Sequence, residues 1–225
     1  SSSSSSSSVV SQDAKELELE DAALRVQEAR SAETLPPRIL FQTYFDKTIV
    51  PSKVFANVAE FAPDFEHRLL DDMDARAFLS EHFQPRVLAS FDALALGAHK
   101  ADLLRYCLLY VFGGVYLDIK TVLVRPLGPL VLRPGVTTVR AYTSVLDALV
   151  RRPMIYQGIL AAPPRQPIFL ALIDAILACG SGPTYYHAFT RDFYRYIEAD
   201  VARGSTGTGT GTGAGRVELG KPLNG

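Results

Sequence analysis

Between Ala101 and Lys120 the sequence reads "ADLLRYCLLYVFGGVYLDIK", and its charged residues are Asp102, Arg105, Asp118 and Lys120. Asp102 and Arg105 stand three apart, so on a helix they lie on one side, about 60° apart around the axis. Ala101, Leu104, Cys107, Leu108 and Val111 fill most of the remaining circumference. A helix apolar nearly all round is buried, and its one charged sector must face a partner or a polar cavity. Such a carboxylate and guanidinium either close on each other as a structural salt bridge or offer fixed hydrogen-bonding groups to a ligand. Gly113-Gly114 stops the helix, and "VYLDI" then reads as a strand. Period-two alternation puts Val115, Leu117 and Ile119 on one face and Tyr116, Asp118 and Lys120 on the other. A charged pair at the end of an apolar strand meets water at an ordinary surface, or meets a ligand.

The flanking sequence must supply elements that hold these groups in place. "PPRILFQTY" suits a first buried strand. "PSKVFANVAEF" predicts a helix with Ser52 as N-cap and Val54, Val58 and Phe61 on one face. "FEHRLL" reads as a second strand ending at Asp71-Asp72, with a helix through "DARAFLSEHF" after it. "FDALALGAHKADLLRYCLLYVF" is the longest helix candidate. Further on, "MIYQGILAA" reads as a strand, and "QPIFLALIDAILA" and "HAFTRDFYRYIEADV" as helices. Alternating strands and helices imply an α/β domain with a mostly parallel sheet covered on both faces. Such sheets bind ligands beyond the carboxyl ends of their strands, where Gln42, Asp71, Asp72 and Asp118 fall.

Composition bounds the rest. With 225 residues, 48% of them hydrophobic, the chain can bury one sizeable core. A net charge of −1 with scattered basic residues argues against nucleic acid or an acidic membrane surface as partner. Cys107 and Cys179 sit in apolar stretches and read as buried thiols. The nearest approach to a membrane span, residues 101–119, carries three charges and breaks at Gly113-Gly114. The chain opens on Ser1 rather than methionine, so membrane association is expected only through a segment outside it. Residues 1–35 read as a low-complexity serine tract followed by a charged stretch suited to a solvated helix or stem. Residues 36–203 read as the folded domain and 204–225 as a Gly/Thr-rich flexible tail. His67, His82, His99 and His187 show no metal-ligand spacing. The aromatics of "YYHAFTRDFYRYI" suit a core helix or the wall of an acceptor groove.

The central stretch resembles the motif of glycosyltransferases with a DXD-containing sugar-binding region, family 32, which includes Golgi α-1,6-mannosyltransferases. The family pattern runs from a small residue and Asp to Arg three further on, then to Gly-Gly and aromatic-x-Asp-x-Asp. Here these positions are Ala101, Asp102, Arg105, Gly113, Gly114, Tyr116 and Asp118, with Lys120 in the last place. "PPRILFQTY", "HRLLDD" and "YQGILAAPPRQPIF" are similar to further segments of the family, with Phe41 standing where the family has histidine. The resemblance implies a single GT-A-like, Rossmann-type domain. It implies transfer of a hexose from a GDP- or UDP-sugar to a glycan or other hydroxyl acceptor, with retention, in the Golgi or secretory pathway if the source is a eukaryote and in the cytoplasm otherwise. Gln42 and Thr43 would lie near the nucleoside, and Asp102 and Arg105 would bind the donor sugar. Gly113 and Gly114 would shape the donor site through their turn, with Tyr116 between them and Asp118, which would touch ribose and a metal-bound diphosphate. Mn²⁺ or Mg²⁺ is the cofactor the family implies, because a departing nucleoside diphosphate builds negative charge. Lys120 departs from the pattern, since a protonated ammonium cannot ligate a cation. Three readings stay open: Lys120 neutralises the diphosphate itself, a metal persists on Asp118 with other ligands, or the protein binds donor without turnover. An α/β scaffold in which Asp102 and Arg105 are purely structural is the alternative from another class.

Overall fold

The computed structural model describes residues 34–141, 154–179, 193 and 218–220. The stem expected before residue 34 lies outside them. So does most of the helix expected over 187–201, of which Phe193 is described, buried and edge-on to Tyr106.

The first strand, β1 (Ile39–Thr43), buries Leu40, Phe41 and Gln42. Helix α1 (Ser52–Phe61) follows and turns its Val58 inward. Its N-cap is Pro51 rather than the expected Ser52, because Pro51 supplies the carbonyl that Val54 N–H reaches at 3.0 Å, and no side chain caps this end. Strand β2 (Glu66–Leu70) lies parallel to β1, Ile39 opposite Glu66 and Thr43 opposite Leu70. The chain then enters α2 (Asp72–His82) through a capping box. Asp71 accepts from the N–H groups of Met73 and Asp74 at 3.0 Å, and Asp74 accepts from the Asp71 N–H at 3.1 Å.

The long helix expected from Phe91 onward is two helices, α3 (Pro85–Ala93) and α4 (Gly97–Phe112). Leu94 and Leu96 take extended backbone, which returns Leu94 to the core beside Phe91 and lets the chain start again at Gly97. Residues 102–109 of α4 are all buried, so the helix runs through the core rather than over it. It ends at Gly113 (φ 64°), whose N–H bonds to Leu109 O at 2.9 Å, and Gly114 (φ 97°) opens strand β3 (Gly114–Leu117).

β3 pairs parallel with β1. After the short turn α5 (Gly128–Val131) come β4 (Thr137–Ala141), β5 (Met154–Ala162) and α6 (Pro167–Cys179). β6 (Glu218–Gly220), inside the stretch expected as a flexible tail, pairs parallel with β4. The sheet order is β2-β1-β3-β5-β4-β6, parallel over β2-β1-β3, with β5 antiparallel to both its neighbours.

Strand alternation divides the core in two. Phe41, Tyr116, Leu160 and Ala162 face α2, α3, α4 and α6. Leu40, Val115, Leu117 and Ala161 face α1 and α5. This is the helix-covered α/β sheet that the alternating pattern predicted. Cys107 is a buried free thiol whose pKa burial pushes far above its ordinary value, as its apolar setting implied. The side chain of Cys179 lies outside the described residues.

The turn between α4 and β3 demands glycine twice. A Cβ at Gly114 would stand 2.6 Å from the Ile39 carbonyl oxygen, and one at Gly113 would stand 2.6 Å from Pro164 N. Gly114→Ala should therefore destabilise by about 3 kcal/mol, combining strain at positive φ with overpacking. Gly97→Ala, where a Cβ meets nothing within 4 Å, should be neutral or slightly stabilising. Urea denaturation of both variants checks this contrast, and equal midpoints would contradict it.

Candidate active site

A cavity of about 760 Å³ opens where β1, β2 and β3 end. Thr43, Tyr44 and Phe45 enter it from β1, and Leu70, Asp71 and Asp72 from β2. Asp118, Ile119 and Lys120 enter from β3, and the first two turns of α4 and the Tyr156–Gly158 segment of β5 complete the walls. These strand ends meet here because three parallel strands share one polarity, so their carboxyl termini emerge together.

Asp102 and Arg105 form the floor, 6% and 4% exposed. The Arg105 guanidinium is held by fixed partners on every nitrogen. Nε donates to Ala101 O at 3.0 Å and Nη1 to Gln157 O at 2.6 Å. Nη2 stands 3.1 Å from Asp102 Oδ1 and 3.4 Å from Asp118 Oδ1. Its plane lies over the Tyr116 ring, 4.6 Å from the centroid. One cation thus ties the α4 carboxylate to the β3 carboxylate and to the β5 backbone. Burial works against the charge on Arg105, but Tyr116, Asp102 and Asp118 outweigh it and hold its pKa above the ordinary range. Asp102 is pushed up to about 6, first by burial, against the pull of Arg105 and with a further push from Asp118. Two carboxylates share one guanidinium, and burial makes Asp102 easier to protonate than an ordinary carboxylate. Tyr116, buried and hydrogen-bonded to the Thr43 hydroxyl at 3.0 Å, has its pKa raised by burial to about 12 and stays a neutral phenol.

The residues singled out from the sequence divide by position. Thr43, Asp102, Arg105, Tyr116, Asp118 and Lys120 line one cavity. Gln42 is 1% exposed and does not line it. Its Nε2 donates to the Asp118 backbone carbonyl at 3.4 Å, and its Oε1 accepts from His67 Nε2 at 3.0 Å. Gln42 thereby supports the turn that carries Asp118. Gly113 and Gly114 stand at the opposite end of β3 from Asp118, so they shape the cavity only through their turn.

The β5 wall was not singled out as a site by sequence. Pairing between β4 and β5 jumps from Thr138–Leu160 to Val139–Tyr156, so Gln157, Gly158 and Ile159 bulge away from β4. The buried Thr138 hydroxyl donates to the Ile159 carbonyl at 3.3 Å. The bulge aims Gln157 O at Arg105 and brings Gly158 against the site. A Cβ on Gly158 would stand 2.6 Å from the Tyr156 phenol and 2.7 Å from Asp118 Oδ2. The glycine inside an otherwise apolar strand, "YQGIL", was the available signal. Lys100, paired with Asp72 at 2.6 Å, is a further wall residue that sequence reasoning passed over.

The cavity fits a divalent cation poorly. Among the described residues no three carboxylate, histidine or cysteine groups converge as ligands. Asp71 caps α2, Asp72 pairs with Lys100, and Asp102 and Asp118 share Arg105. Hard cations need several oxygen donors, and each of these carboxylates already has a cap or a cation on at least one oxygen.

The molecule is thus an α/β sheet with a carboxylate–arginine cluster in a cavity at its parallel strand ends. The solved structure of "PaToxG Glycosyltransferase" shares the fold, with a TM-score of 0.55 and 16% identity over 83% of this chain and 79% of that one. Residues 51–138 match the family described as "Glycosyltransferase sugar-binding region containing DXD motif". The chain is 33% identical over 101 residues to inositol phosphoceramide mannosyltransferase 3 of Schizosaccharomyces pombe, which is 44% of this chain and 28% of that protein. It is 27% identical over 175 residues to mannosyl phosphorylinositol ceramide synthase SUR1 of Saccharomyces cerevisiae, 77% of this chain and 40% of the relative. The chain spans less than half the length of these curated relatives. Glycosyltransferase domains with a DXD motif commonly bind divalent metals.

The raised pKa of Asp102 has a consequence for stability. Between about pH 4, the ordinary carboxylate value, and about pH 6 the folded protein keeps a proton that the unfolded chain releases. Stability is therefore lost through Asp102 as pH rises across that window, and the loss is complete above it. Asp102→Asn removes this slope. Chemical denaturation across the range should show a stability difference between wild type and D102N that changes through the window and is constant above it. A constant difference throughout would mean that Asp102 is ionised in both states.

Proposed function

We propose that the chain is a glycosyltransferase moving a hexose from a nucleotide sugar to a hydroxyl of a glycan or glycolipid acceptor. The observation that carries this reading is the cluster of Asp102, Arg105 and Asp118 on the floor of a cavity at the carboxyl ends of three parallel strands. In the reaction the bond between the anomeric carbon and the diphosphate breaks while the acceptor oxygen bonds that carbon. Negative charge grows on the leaving diphosphate.

Asp102 and Arg105 are assigned the donor sugar, where a fixed carboxylate accepts hydroxyl protons beside a fixed guanidinium. Asp118, only partly buried, is assigned the ribose and diphosphate side of the donor. Thr43 and Tyr116 form the wall beside the nucleoside. Retention of anomeric configuration is the stereochemical outcome assigned through the family, and an NMR spectrum of the first product checks it.

The named activities of the relatives make GDP-mannose the first donor to test and an inositol-phosphate-bearing lipid the first acceptor. UDP-hexoses form the comparison set. A secretory-pathway location, Golgi in a eukaryote, accompanies the reading through the family resemblance alone. Among the described residues no helix is long and apolar enough to cross a membrane.

Donor hydrolysis and transfer measured over a GDP- and UDP-sugar panel tests the proposal. One donor should turn over, and Asp118→Asn should lower its turnover by about 100-fold, the scale of one transition-state electrostatic contact. Unchanged turnover in D118N removes Asp118 from the chemistry. Binding of a donor without turnover identifies a nucleotide-sugar-binding protein instead, and no binding identifies a scaffold.

A further inference from the structure

We propose that the donor diphosphate is neutralised by the ammonium of Lys120 in place of a divalent cation, so that donor binding by this chain is metal-independent. The inference rests on the donor-site reading above and adds to it how the charge of the leaving group is met. Three observations carry it.

The first is the position of Lys120. It follows Asp118 by two residues in a turn held at three points. The Asp118 N–H donates to Gly158 O at 2.9 Å, the Thr121 N–H donates to Asp118 O at 2.8 Å, and Gln42 Nε2 reaches the same carbonyl at 3.4 Å. The backbone of Lys120 is therefore registered against Asp118, and its side chain lines the cavity.

The second is the state of the other cations. Arg105 is bound by two carboxylates and two carbonyls, and Lys100 by Asp72 at 2.6 Å. Among the described residues that line the cavity, Lys120 is the cation without an ion pair. It is exposed, so it reaches an incoming phosphate without breaking a structural contact.

The third is the donor set described above, in which no three metal-ligating side chains converge among the described residues and Asp118 already shares Arg105. Exchanging a carboxylate for an ammonium turns one negative charge into one positive charge. That raises the local charge by the same amount as adding a divalent cation. The ammonium offers three donors to phosphate oxygens, and lysine binds phosphate as a point charge. A solvated surface lysine would share the exposure but not the fixed place in the cavity wall beside Asp118.

The test is isothermal titration of the purified chain with GDP and with UDP, in EDTA and in millimolar Mn²⁺, on wild type, Lys120→Ala and Lys120→Asp. Wild type should bind one nucleotide with equal affinity in EDTA and in Mn²⁺. K120A should lose about tenfold or more, the scale of a charge-assisted contact. K120D should bind more weakly than K120A in EDTA and recover in Mn²⁺, because it restores the second carboxylate of the motif. Thermal melts confirm that the variants fold, as an exposed position should allow. Wild-type binding seen only with Mn²⁺ overturns the inference and leaves the donor-site reading standing. K120A binding as tightly as wild type in EDTA also overturns it. No binding of GDP or UDP in either condition overturns the inference together with the donor-site reading.

Discussion

The Arg105 guanidinium is the point on which the site depends. Taking an arginine out of water is costly unless its donors all find acceptors. Here four acceptors surround it, drawn from three pieces of chain: the first turns of α4, the carboxylate that follows β3, and the bulged backbone of β5. Meeting the needs of one buried cation therefore fixes α4, β3 and β5 relative to one another at the cavity. The Tyr116 ring below the guanidinium adds a face that only a planar cation matches. A lysine at position 105 would keep the charge but not the fork that reaches four partners.

That arrangement requires α4 to pass through the core rather than along the surface. Leu103, Leu104, Tyr106, Cys107, Leu108 and Leu109 are all buried, so the helix is held by apolar packing around its circumference. Asp102 and Arg105 interrupt that packing only at the end nearest the cavity. At the other end two glycines at positive φ let β3 start against Ile39 without a Cβ between them. The hydrophobic core sets the helix axis, the glycines set where the strand begins, and the ion pairs set the register between them.

Much of this was legible in the sequence because it rests on local pattern. Asp102 and Arg105 declared themselves as charges on an otherwise apolar helix, and Gly113-Gly114 as its stop. The period-two split of Val115 and Leu117 from Tyr116 matches the two faces of the sheet. What stayed hidden depends on contacts distant in sequence. The break at Leu94–Leu96 is marked in the sequence only by Gly97 just after it, and it follows from Leu94 returning to the core. Gln42 sits at a strand end as expected, yet its amide is spent on His67 and the Asp118 carbonyl, partners 25 and 76 residues away. The direction of β5 and its bulge depend on pairing with β3 and β4, which apolar alternation alone does not specify.

The two cations beside Asp118 differ in a way that bears on how charge is handled during transfer. Arg105 is buried and held by fixed partners, so its field is already oriented before any ligand arrives and needs no rearrangement as charge develops. Lys120 is exposed on a flexible stem, and in water its interaction with a phosphate is screened. Its contribution grows only when a donor fills the cavity and displaces that water. In the proposed reaction the arginine therefore supplies geometry, and the lysine supplies charge that strengthens with occupancy. The opposite placement would fail on both counts. An exposed arginine would not register three chain segments, and a lysine buried without a ligand would shed its proton rather than hold an unpaired charge.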